Sequence, residues 1–166
     1  LKLGEQEITC EDPHGLQDLK GAFCNSCNCA FAELVLQLGG ETLAGYVAKF
    51  GVTDPVTFDG ITTEKGNFDI TQAAEISVAW AGIGQYLDLV NPCAFLTFMG
   101  AVANGGEVIS PYLVEEITVG SNVTYAAEAA PGKRIMSAET AAIVQQYMQN
   151  NVTVKYGAEN FPGLTV

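Results

Sequence analysis

The chain has 166 residues, 48% of them hydrophobic, enough to bury one sizeable core and too apolar for a disordered tail. Its 7 basic and 19 acidic residues leave a formal charge of −12, which repels phosphate backbones and anionic lipid headgroups, so nucleic-acid binding is set aside. No apolar run approaches the roughly 18 residues that span a bilayer, and no basic segment followed by an apolar one reads as a targeting signal.

The opening stretch, 1–17, carries Gly4, Pro13 and Gly15 and reads as a hairpin or irregular lead-in. From 18 to 38 apolar residues recur at helical spacing until Gly39-Gly40 supplies a stop. Short polar side chains at 25–28 compete with helix hydrogen bonds, so "FCNSCN" is expected to join two helices. A third helix, 41–50, places Leu43, Tyr46, Val47 and Phe50 on one face.

Residues 52–75, with Pro55, Gly60 and Gly66, read as a long loop of the kind that lines clefts. Asn91 is a good helix N-cap and Pro92 a good first residue for a helix that Gly105-Gly106 closes. Residues 107–119 are β-branched and partly alternating, with Pro111 restricting them to an edge or a break. A polar loop is expected over 120–133 and a helix capped by Ser137 after it, then an extended tail. Trp80 and the tyrosines are most simply core. The fold class is α+β, predominantly α-helical, with no internal repeat and no linker.

Three segments together resemble the transpeptidase domain of penicillin-binding proteins, above all the monofunctional elongation type. "NSCNCAFAEL" resembles that family's Ser-X-Asn motif at the head of a helix. "AGIGQYLDLVNPCAFLTFMGAVANGG" is similar to its Ile-Gly-Gln segment and the proline-led helix ending in Ala-Asn-Gly-Gly. "ISPYLVEEI" and "RIMSAETAAIVQQYMQNNV" look like the strand and helix that precede its third motif. Each signal is weak alone, and specificity lies in their order and spacing.

The resemblance implies a β-lactamase/transpeptidase-like fold, with 1–166 as the central, mainly helical portion of a transpeptidase domain. It implies a parent that cross-links peptidoglycan stem peptides ending in D-Ala-D-Ala and is trapped by β-lactams as an acyl-serine. Such a parent is bacterial, faces the cell wall and is anchored in the membrane by an upstream segment. Ser26 would relay a proton, and Asn28 would hold the acyl-side amide and orient a lysine; Gln85 would line the cleft floor, against the rival reading in which Gly82 and Gly84 beside it serve backbone packing. Cys27, between the first two, should point away and pack. No cofactor is implied.

Departures from the family pattern matter as much. No serine in the chain is followed by lysine three positions on, so the Ser-X-X-Lys nucleophile is absent. Lys155-Tyr156-Gly157 does not serve as Lys-[Ser/Thr]-Gly, since tyrosine offers no small hydroxyl. The start at Leu1 without methionine and the missing motifs read as an internal fragment, inactive by itself and prone to pair through uncovered apolar surface.

Two rival readings stand beside this one. Cys10, His14, Cys24 and Cys27 have the residue types and spacing of a small zinc-binding module. A non-catalytic interaction domain on a degenerate transpeptidase fold is the other. Against the metal stands the odd count of five cysteines in a chain apolar enough to fold without one; their plain reading is small buried hydrophobes. His14 reads as a loop residue with a local hydrogen bond.

Overall fold

Gly4, at a φ of 64°, turns the first residues back so that β1 (Lys2–Leu3) pairs antiparallel with β2 (Gln6–Glu7). The computed structural model describes residues 1–128 and 131–163. Asp18 accepts a hydrogen bond from the Gly21 N–H at 2.8 Å and so caps α1 (Leu19–Cys24). Then come α2 (Asn28–Leu38), with Gly39 as its C-cap, and α3 (Gly40–Phe50). Next are the short strands β3 (Thr57–Phe58) and β4 (Ile61–Thr62), then α4 (Glu75–Ala81) and α5 (Pro92–Ala103). Strands β5 (Glu107–Ile109), β6 (Glu116–Val119), β7 (Asn122–Ala126) and β8 (Pro131–Arg134) precede α6 (Ala138–Asn151), which Ser137 caps through the Thr140 N–H at 3.1 Å.

Four expectations are corrected. The 52–75 loop contains the β3–β4 hairpin, because Asp59 and Gly60 both take positive φ (47° and 79°), the requirement of a type I′ turn. The expected loop over 120–133 holds β7 and β8, since Asn122-Val123-Thr124-Tyr125 alternates polar and β-formers. The tail is not extended throughout: Val152–Tyr156 continues α6 as a π-helical turn. It is closed by the Gly157 N–H on the Val152 carbonyl and braced by the Thr153 hydroxyl on Gln149 O at 2.9 Å. Most tyrosines are exposed and not core, namely Tyr46, Tyr86, Tyr112, Tyr125 and Tyr156.

The chain forms two units, divided within α3 and α6. In the first (residues 1–46, 68–88 and from 143 on), α2 packs on α4 around Ile8, Ala32 and Ala79, all fully buried and flanked by Leu3, Leu36, Ile76 and Trp80. Small residues at the contact let the helices approach closely. A Cβ on Gly82 would lie 2.5 Å from Val35 Cγ2. Phe23 stacks edgewise on Phe31 and against Tyr147, with centroids 6.5 and 5.9 Å away.

In the second unit (47–67 and 89–142), Asn91 is the organising residue and only 2% exposed. Its Oδ1 accepts from the N–H groups of Cys93 and Ala94, capping α5, while its Nδ2 donates to Thr63 Oγ1 and the Glu64 carbonyl. Helix α5 packs on β5, which pairs with β8 and carries the Glu107–Arg134 ion pair. Ala101, Val102, Ile135 and Met136 are buried in this unit. Among the described residues no helix is long and apolar enough to cross a membrane.

Candidate active-site turn and the adjoining thiol cluster

Helix α1 ends at Cys24 and α2 begins at Asn28, leaving three residues to reverse the chain. The reversal is made at Ser26, whose φ of 50° is held by two backbone bonds, Ser26 N–H to Phe23 O at 3.2 Å and Cys27 N–H to Ala22 O at 2.9 Å. A non-glycine residue in the left-handed region is uncommon and tends to mark a constrained position. The α2 N-cap is Cys27, which makes no side-chain capping bond. The Ser26 hydroxyl is therefore not spent on capping: the residue is exposed and its side chain engages no partner among the described residues.

Asn28 is half-buried, and its Nδ2 donates to the Thr9 carbonyl at 3.0 Å. That anchor fixes which end of the amide is which and turns Oδ1 into a free acceptor. Asn25 is held in turn by its Nδ2 donating to Gln17 Oε1 at 2.9 Å. Thr9 and Gln17 were not singled out in the sequence. Nothing local marks them, since Thr9 meets Asn28 nineteen residues later and only through its backbone.

Gln85 lies beyond the end of α4, exposed, with its backbone N–H on Trp80 O at 3.0 Å. No contact joins its side chain to Ser26 or Asn28 among the described residues. Gly84 beside it takes a φ of 76°.

Cys27 is 5% exposed and meets Cys10 with the sulfurs 3.6 Å apart. Cys29 donates its thiol to Ile8 O at 3.2 Å and lies 3.5 Å from the Leu1 ammonium. One ligating atom each from Cys10, His14 and Cys27 lies within 4.8 Å of the others. These residues, with Glu11, Asp12 and Cys29, line an open depression of about 430 Å³ that neither Ser26 nor Asn28 enters.

Burial works to raise the Cys10 thiol's pKa. Hydrogen bonds from the N–H groups of Cys29 and Asn28 and from the Cys27 and Cys29 thiols outweigh it and bring the value below the ordinary one. Cys27 moves the other way, raised by burial and by the facing Cys10 charge. The local hydrogen bond expected of His14 is absent from its Nδ1, which is buried without a partner.

The four-ligand zinc arrangement is corrected here. Cys24 is buried in α1 and is not one of the converging group, because the helix ends there and the turn carries Cys27 to another side. Cys93 is the second residue of α5, in the other unit.

The family model described as the penicillin binding protein transpeptidase domain matches residues 2–166. Stage V sporulation protein D of Bacillus subtilis is 32% identical over 104 residues, 62% of this chain and 16% of that protein. Peptidoglycan D,D-transpeptidase PbpA of Mycolicibacterium smegmatis is 30% identical over 145 residues, 84% of this chain and 29% of that protein. The ceftriaxone acyl-enzyme of penicillin-binding protein A from Mycobacterium tuberculosis superposes with a TM-score of 0.80 at 24% identity, over 92% of this chain and 35% of that one. At that identity the likeness speaks to the fold. The chain spans less than a third of the length of these curated relatives.

Proposed function

Because the chain belongs to the penicillin-binding-protein transpeptidase domain family, we propose that it supplies the Ser-X-Asn part of a cell-wall D,D-transpeptidase whose nucleophilic serine and partner lysines lie in polypeptide beyond these 166 residues. The zinc-module reading gives way, as the family match extends over nearly the whole chain.

The reaction transfers an acyl group. A serine attacks the penultimate D-Ala carbonyl of a stem peptide, the terminal D-Ala leaves, and a neighbouring strand's amine takes the acyl group. Attack and departure each require a proton to move at the right moment. Ser26 is suited to carry it, having a hydroxyl that both donates and accepts and that no helix cap consumes. Asn28 offers Oδ1 to the substrate's amide N–H and to the lysine ammonium, its orientation fixed by Thr9. Gln85 takes a lesser part in lining the substrate groove. β-Lactams bind the same groove as stem-peptide mimics, and the enzyme works on the outer face of a bacterial membrane, anchored by an upstream segment.

The observation that carries this reading is the uncommitted Ser26 hydroxyl on a left-handed turn at the head of α2. The test is fluorescent-penicillin labelling of the longer protein containing this chain. Labelling is expected there and absent from the 166-residue chain alone. Ser26→Ala and Asn28→Ala should slow acylation by about 10² to 10⁴, and Gln85→Ala by about fivefold, one hydrogen bond's worth. Labelling of the short chain, or unchanged rates in both Ser26→Ala and Asn28→Ala, would overturn the assignment.

A further inference from the structure

We propose that Cys10, His14 and Cys27 form a site for a soft divalent cation, zinc foremost, with two sulfurs and one imidazole as ligands and the fourth corner open to the depression beside them. The ligand set differs from the sequence-level quartet, and the site is an accessory to the transpeptidase fold and not its reason for folding.

Geometry carries the proposal. Zinc bound tetrahedrally at about 2.3 Å from sulfur places two thiolates about 3.8 Å apart, and the Cys10 and Cys27 sulfurs stand at 3.6 Å. An imidazole nitrogen belongs at about 3.5 Å from each sulfur in such a site, and the three ligating atoms already lie within 4.8 Å of one another. The small closure needed falls to Cys10 and His14, which sit in the non-helical lead-in, while Cys27 is fixed as the α2 N-cap.

A second observation points to a ligand independently. The Nδ1 of His14 is buried with neither a protein partner nor access to solvent, a state that costs free energy unless something fills it. Glu11 and Asp12 line the same depression and favour the entry of a cation.

The consequence reaches the neighbouring turn. Cys27 lies between Ser26 and Asn28, so an ion bridging it to Cys10 and His14 clamps the lead-in against the head of α2. The same clamp steadies Thr9, which holds the Asn28 amide. Metal binding by the chain stands or falls apart from penicillin labelling, so the two readings are separable.

The test is titration of the reduced, metal-stripped 166-residue chain with Co²⁺, followed by Zn²⁺. One Co²⁺ per chain is expected, with sulfur-to-cobalt charge-transfer absorption and tetrahedral ligand-field bands that one equivalent of Zn²⁺ abolishes. Cys10→Ser, His14→Ala and Cys27→Ser should each weaken binding by at least about tenfold, the lower end of what even an outer-shell partner's loss brings. Cys24→Ala should leave the spectrum unchanged. As Cys27 is buried and its variant can lose structure, Cys10→Ser and His14→Ala, both in the lead-in, decide the matter. An octahedral cobalt spectrum, no binding with all five thiols free, or full binding in His14→Ala would overturn the site.

Discussion

Asp88 shows how much a single partly buried carboxyl weighs. Its Oδ1 is buried without a hydrogen-bond partner, and desolvation lifts its pKa from the ordinary 3.8 to about 6. Between those values the folded state holds a proton that the unfolded chain has released. The stabilising contribution is thus complete below about pH 4 and lost as the pH rises through about 6. With solvent screening of a half-exposed group allowed for, the effect is roughly 1 kcal/mol. Asp88→Asn should therefore raise the Tm at pH 7 to 8 and change it little at pH 4, measured by thermal melts across that range. Equal shifts at both ends would remove the account. Nothing in "QYLDLV" announces this, because the desolvation comes from residues that only the fold brings near.

At the scale of elements, the α2–α4 contact is set by one missing Cβ. Gly82→Ala would place a methyl 2.5 Å from Val35 Cγ2 and 2.7 Å from its Cβ, both on a packed helix with little room to yield. A loss of about 1 to 3 kcal/mol is expected from overpacking, read as a lower denaturation midpoint. Val35→Ala in the same chain should recover part of it. Additive losses in the double variant would show that the two side chains do not compete for one space.

Elements governed by local chemistry were the legible ones. Asn91 and Ser137 cap α5 and α6, and Gly39 ends α2. Asp59-Gly60 carried an equally clear hairpin signal, obscured by the polar residues around it. The head of α2 was placed correctly too. That Cys27 sits at its N-cap follows from the left-handed turn at Ser26, which composition alone does not dictate.

At the scale of the whole molecule, order along the chain told more than any motif. Ser-X-Asn, Ile-Gly-Gln, the Asn-Pro helix and the Ser-capped helix appear in sequence, and the family match over 2–166 has that breadth. What pairing could not reveal was how much apolar surface stays uncovered. The β6–β7 ribbon is exposed along its whole length, with Ile117, Val119, Val123 and Tyr125 open to solvent. Two strands by themselves gain little stability in water and offer free edges. We expect the isolated chain to associate with rising concentration in sedimentation velocity, and Val119→Lys to suppress this. A monomer at every concentration would count against it.

The left-handed backbone at residue 26 also decides which alcohol the position tolerates. A methyl on Cβ crowds the flanking peptide groups at positive φ, so threonine is disfavoured there although it carries the same functional group. The turn thereby narrows the genetic code's two aliphatic hydroxyls to one, and a codon change that looks conservative on paper is a steric fault in the folded chain.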